Sequence, residues 1–187
     1  MRILYGHAIS FFVVVVFGSC TIYDKLFDNP VDFKANDEKG IGAPALVFYP
    51  KTQTLTQTDS ILVGSFLVFK EDSTQAFSGL HLQIEFPDDL IELDTILPGI
   101  FLTDTSQSTP LFTYDYDDGN TVDIYAYFLG TTKLDIEGTG HLADLIFNPL
   151  TSGNDSIFYN LSECIIIDHQ ENDIEVNGTR GAEIIVQ

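Results

Sequence analysis

The residues with which this chain could do chemistry are four histidines, two cysteines and 28 aspartates and glutamates. His7 lies in an apolar N-terminal stretch, while His81, His141 and His169 fall in separate segments. None shows the short spacing by which one helix or hairpin presents two ligands to a zinc ion. The chain also contains no Gly-x-Ser-x-Gly turn, no phosphate loop ending in Gly-Lys-Ser/Thr and no His-Glu-x-x-His pair. Nucleophilic hydrolysis, phosphate cradling and zinc proteolysis therefore lack their local geometry. The densest oxygen cluster, "YDYDDGNTVD", gathers Asp115, Asp117, Asp118 and Asn120. With Gly119 at the sixth position of a calcium loop, the first and third ligand positions would be Tyr114 and Tyr116, where a hard cation needs carboxylates. The stretch reads instead as a hairpin turn, and no metal or cofactor is expected. Carboxylates this abundant do not by number define a glycosidase pair, which is a matter of separation. The chain is read as a non-enzyme.

Its charge points the same way. Eight lysines and arginines leave a formal net charge of −20. A surface this acidic cannot neutralise phosphates and release their counterions, which excludes nucleic acid as a partner. With 44% hydrophobic and 12% aromatic residues, the chain is nonetheless too apolar for disorder, so a folded domain is expected.

At the N-terminus, Arg2 precedes an apolar run from Ile9 to Phe17, then Gly18-Ser19 and Cys20. The run is too short to span a bilayer. It resembles a bacterial lipoprotein signal peptide at residues 1–19, which implies that Cys20 becomes the lipidated first residue of the mature chain. An ordinary secretory signal with an incidental cysteine is the alternative. Thr21 is not acidic, which under the same resemblance implies the outer membrane or cell surface of a bacterial envelope. Cys164, in the apolar run "CIII", is expected to be a buried, inert thiol.

Residues 20–43 are polar, carry Pro30, Gly40 and Gly42, and read as a linker. From residue 44 to 187, strand patterns follow one another: "ALVFY", "DSILVGSFLVF" with Gly64 as a bulge or tight approach, "GLHLQIEF", "LIELDTI", "PLFTYDY", "TVDIYAYFLG", "GHLADLIFNPL", "DSIFYNLSECIIID", "DIEVN" and "AEIIVQ". Short strands at short intervals mean an all-β sandwich or barrel. Because alternate residues of a strand face opposite ways, Leu80, Leu82, Ile84, Phe86, Val122, Ile124, Ala126 and Phe128 are expected inside. His81, Gln83 and Glu85 then face outward, as do Asp123, Tyr125, Tyr127 and Leu129, on one surface if the two strands share a sheet.

The succession of Phe86, Pro87 to Asp89, Ile91-Glu92-Leu93, Pro98-Gly99, Gly140 with Ala143, Leu145 and Phe147, and Gly181 to Val186 resembles the cohesin domain. The resemblance spans about residues 44–187. It implies a nine-stranded jelly-roll β-sandwich without catalytic activity that docks the dockerin module of a polysaccharide-degrading enzyme on one sheet. The matching sheet would carry residues 79–86, 110–116, 122–129 and 157–165, making His81, Gln83, Glu85, Tyr125 and Tyr127 the partner-binding face. Gly79 and His81 stand where the best-known cohesins carry an Asn and an Asp that contact the dockerin. A carbohydrate-binding module taking a polysaccharide on its tyrosines, and a structural envelope subunit, are the alternative readings.

Overall fold

Period-two alternation runs through most segments read as strands, and in β5 and β8 it sets the apolar row inward residue by residue. The computed structural model describes residues 29, 32–103, 110–116, 119–129 and 136–187. The segment read as a leader, Cys20, and Asp117 and Asp118 of the expected hairpin turn lie outside them.

Two sheets face each other. The first runs, in spatial order, β13 (Gly178–Arg180), β1 (Ala45–Tyr49), β3 (Ile61–Val68), β10 (Gly140–Pro149) and β6 (Ile91–Pro98). The second runs β2 (Thr52–Leu55), β14 (Ala182–Val186), β11 (Gly153–Tyr159), β5 (Gly79–Glu85), β8 (Thr121–Tyr127) and β7 (Leu111–Asp115), with β12 (Ile165–Ile167) pairing the start of β5. A small separate ladder joins β4 (Ala76–Phe77) to β9 (Ile136–Glu137), and short helices form at α1 (Phe33–Asp37) and α2 (Ile100–Thr103). Strands of five residues or more are β1, β3, β5, β6, β7, β8, β10, β11 and β14, the expected jelly-roll set. Pairing is antiparallel except for β1 with β13 and β14 with β2.

The core lies between the sheets. Leu46, Phe48, Ile61, Val63 and Leu67 face Leu82, Ile84, Val122, Ile124 and Ile184, all buried. Tyr159 of β11 crosses this layer: its ring stacks on Phe48 with centroids 4.1 Å apart, and its hydroxyl lies 2.8 Å from Ser65 Oγ on β3. Each hydroxyl satisfies the other in the buried interior, where an unpaired one would be costly. Burial pushes the Tyr159 phenol far above its ordinary range, so it stays neutral and hydrogen-bonding.

Several expectations change. Gly64 is a tight approach but not the bulge: a Cβ there would lie 2.8 Å from Phe66 Cε2, while the register shift sits across the ladder in β10, between His141 and Ala143. Residues 32–43 are not only a linker. Asp32 caps α1 by accepting the Ala35 N–H at 3.1 Å, and Phe33 and Ile41 pack on Ala45, Val47 and Val68 on the outer face of the first sheet. A helix of five residues is too short to show a period, which is why the sequence pattern passes over it. "DSIFYNLSECIIID" is two strands, broken by a turn in which the Glu163 N–H bonds the Asn160 carbonyl at 3.0 Å. "DIEVN" makes one bridge, Asp173 to Ile167, after a turn held by Asp168. Phe128 is half-buried rather than core.

Replacing Tyr159 with Phe should cost about 1–3 kcal/mol, because Ser65 is left buried with its hydroxyl unpaired. Chemical denaturation would read this as a lowered midpoint at unchanged slope.

Candidate functional site

Strands β5 and β8 share a sheet, so the two outward rows form one surface. Their antiparallel register sets His81 opposite Tyr125, Gln83 opposite Asp123, Gly79 opposite Tyr127 and Glu85 opposite Thr121. The inward partners of the same ladder, Leu80 with Ala126, Leu82 with Ile124 and Ile84 with Val122, are all buried. One pairing thus anchors the strands in the core and assembles the outer face.

That face is internally bonded. His81 Nε2 and Asp123 Oδ1 are 2.6 Å apart, and Gln83 Nε2 donates to the same oxygen at 3.1 Å. Gln83 Oε1 accepts from Asn160 Nδ2 at 2.8 Å, and Ser162 Oγ donates to Asn160 Oδ1 at 2.8 Å. The His81 ring lies on Tyr125 with centroids 4.6 Å apart and planes 5° from parallel. Tyr127 covers Gly79, where a Cβ would sit 2.5 Å from its Cδ1, so only glycine leaves room for the ring. Partial desolvation, then the carboxylates of Asp123 and Asp115, raise the Tyr125 phenol above its usual value, keeping it a neutral donor. Asp115 and Asp123 are directly opposed in the β7–β8 ladder, a like-charge pair that a sheet does not favour by itself.

Around this polar centre stand exposed apolar side chains. Leu111 is 51% exposed, Ile165 49% and Phe158 46%, and by register they lie beside Tyr127, His81 and Glu85 respectively. The seven strands of this sheet contain no lysine or arginine. The five cations among the described residues lie elsewhere: Lys34 and Lys39 at α1, Lys51 and Lys70 in turns, and Arg180 buried against Asn36 and the Phe48 carbonyl. The result is a broad, pre-ordered surface with apolar flanks and negative charge, suited to contact with a large partner.

The five residues singled out for the partner face, His81, Gln83, Glu85, Tyr125 and Tyr127, stand together on it. Asp123, Asn160, Leu111, Phe158 and Ile165 join them. Alternation already places Asp123 outward; for the others the cohesin resemblance had put their segments, 110–116 and 157–165, on this sheet, and the strand order brings them beside β5 and β8. The other described histidines, His141 and His169, are not brought to this face. His141 lies on the outer face of the first sheet, 2.9 Å from Asp144 Oδ1 and stacked on Phe66, and His169 sits in the turn after β12. Among the described residues, no three His, Cys, Asp or Glu side chains converge as metal ligands. Cys164, expected to be buried, is half-buried; its Sγ lies 3.7 Å from the Gln83 carbonyl, and burial pushes its thiol up to about 11.

No family model and no curated protein matches the chain. Solved structures do. CaCohA2 from Clostridium acetobutylicum matches with a TM-score of 0.59 at 17% identity, over 78% of this chain and 96% of the other. The sixth cohesin of scaffoldin B of Acetivibrio cellulolyticus, solved with the Cel5 dockerin, gives a TM-score of 0.62 at 13% identity, over 76% and 98%. The OlpC cohesin of Clostridium thermocellum, in a type I cohesin–dockerin complex, gives 0.60 at 14%, over 76% and 92%. The likeness is one of fold, and it establishes the two-sheet sandwich as that of the cohesins.

The thiolate is the reactive form of cysteine. A Cys164 thiol raised to about 11 should therefore react with iodoacetamide about a hundredfold more slowly at pH 8 than in the denatured chain, and faster as pH climbs toward 11. Alkylation followed by intact mass against pH checks this.

Proposed function

We propose that this chain is a lipid-anchored, non-catalytic docking module of a bacterial cell envelope, whose second sheet receives a dockerin-type module of a polysaccharide-degrading enzyme. The observation that carries the reading is the outer face of β5 and β8. His81, Gln83, Asp123 and Asn160 are hydrogen-bonded to one another, and apolar residues flank them. Such a surface loses little side-chain entropy on association, so more of the contact energy becomes affinity. Similar solved structures are cohesins in complex with dockerins, which supports the choice of partner. Gly79 and His81 stand where the best-known cohesins carry an Asn and an Asp, so the partner's contact residues differ from those of familiar dockerins.

The glycan-binding alternative asks for aromatic rings free to stack on sugars. Here Tyr125 is already stacked on His81 and Tyr127 is seated over Gly79, which favours the protein partner. Lipidation at Cys20 would hold the domain at the outer membrane or cell surface, with the chain between Cys20 and α1 as the tether.

The protein purified from its own membranes should carry a thioether-linked lipid on Cys20 by mass spectrometry. Immobilised, it should capture a dockerin-bearing enzyme from the secretome in calcium and release it in a chelator. The Tyr125→Ala/Tyr127→Ala double variant should lose at least about tenfold in affinity, the scale of interface aromatics. Capture of polysaccharide alone would move the module to the glycan-binding class.

A further inference from the structure

Beside the His81 face the chain opens. Strand β12 and residues 173–176 run together from the turn at Asp168, joined by the Ile174 N–H to the Ile166 carbonyl at 2.7 Å and by the bridge between Ile167 and Asp173. Among the described residues no backbone bond continues the pairing. The Cys164 N–H turns back to the Leu161 carbonyl at 3.3 Å, and the Asn177 N–H leaves for the Pro44 carbonyl at 2.7 Å. The two segments splay and leave a groove of about 420 Å³. The buried Ile166 and Ile174 contribute to its lining, Leu161 and Ile165 add exposed apolar surface, and Asp173 and Glu175 add carboxylates.

Two properties define what fits. The volume lies within the range of about 300–1,000 Å³ that binding pockets occupy, enough for a large apolar side chain and its neighbours. No lysine or arginine lines the groove, and Glu163 adds a third negative charge next to Cys164. Ile165 belongs to both sites, since it lines the groove and pairs with His81 in the β5–β12 ladder. A partner lying on the face is therefore within reach of the groove. We infer that this groove takes an apolar side chain flanked by lysine or arginine, presented by the same protein partner that covers the His81 face. The inference rests on the docking reading for the identity of the occupant, while the chemistry of the groove stands on its own residues. Its acidic rim selects a cationic neighbour and rejects an anionic one, which is where opposed charges contribute most to specificity.

The test uses the full chain with methyl labels and a defined probe, the capped tripeptide Lys-Leu-Lys, against Glu-Leu-Glu and Lys-Ala-Lys at low salt. The first peptide should shift the methyls of Leu161, Ile165, Ile174 and Val176, and bind about tenfold more tightly than either control. The exposed pair Asp173→Lys/Glu175→Lys should invert the charge preference, whereas Tyr125→Ala/Tyr127→Ala should leave peptide binding unchanged. Equal binding of the charged peptides, or shifts away from the groove, would overturn the inference even if the tyrosine pair still captures a partner. Peptide binding in the groove with no protein captured on the face would remove the docking reading and its occupant, leaving only the groove's selectivity.

Discussion

The pairing of β5 with β8 is the constraint on which the rest depends. Because side chains alternate across a sheet, a register that buries Leu82 against Ile124 necessarily sets His81 on Tyr125 and Gln83 beside Asp123. A slip by one residue would expose the apolar row and bury the polar one, so the energy of the core fixes the geometry of the outer face. The Tyr159 ring and hydroxyl, reaching from the second sheet to Phe48 and Ser65 of the first, lock the layers that hold this register in place. A binding surface built on paired strands in this way is pre-ordered, unlike one carried on loops.

Charge gives that surface its direction. The chain is strongly acidic throughout, yet its few described cations sit in turns, at α1 or, as Arg180, beneath α1. The second sheet is left with carboxylates and no counter-charge of its own kind. Asp115 and Asp123 face each other across the β7–β8 ladder, a like-charge pairing that a sheet disfavours. A partner with positive charge would relieve it. The α1 helix and Ile41 pack on the outer face of the other sheet, with Phe33 and Ile41 against Ala45, Val47 and Val68.

Much of this was legible in the residues. Alternation in "GLHLQIEF" and "TVDIYAYF" gave the inward and outward sets nearly residue by residue, since period two is a local property that burial on one face enforces. What alternation could not say is which strands are neighbours; the cohesin resemblance put segments 110–116 and 157–165 on this sheet, and the topology adds that Leu111, Phe158 and Ile165 are the exposed residues they bring beside Tyr127, Glu85 and His81. Gly64 shows a different limit. A glycine within a strand marks either a bulge or a close approach. Here Phe66 takes the space while the bulge falls on the facing strand, where no glycine marks it. The helix α1 and the break between β11 and β12 were hidden because each is decided by a few capping and turn hydrogen bonds, shorter than any periodic window.

The central claim is that the second sheet, not the first, meets the partner. A photo-crosslinking residue at Thr113, exposed opposite Tyr125, or at Leu62, exposed on the outer face of the first sheet, would test it in the native cell. The account predicts one discrete protein adduct from position 113 and none from position 62. An adduct from position 62 alone would contradict it.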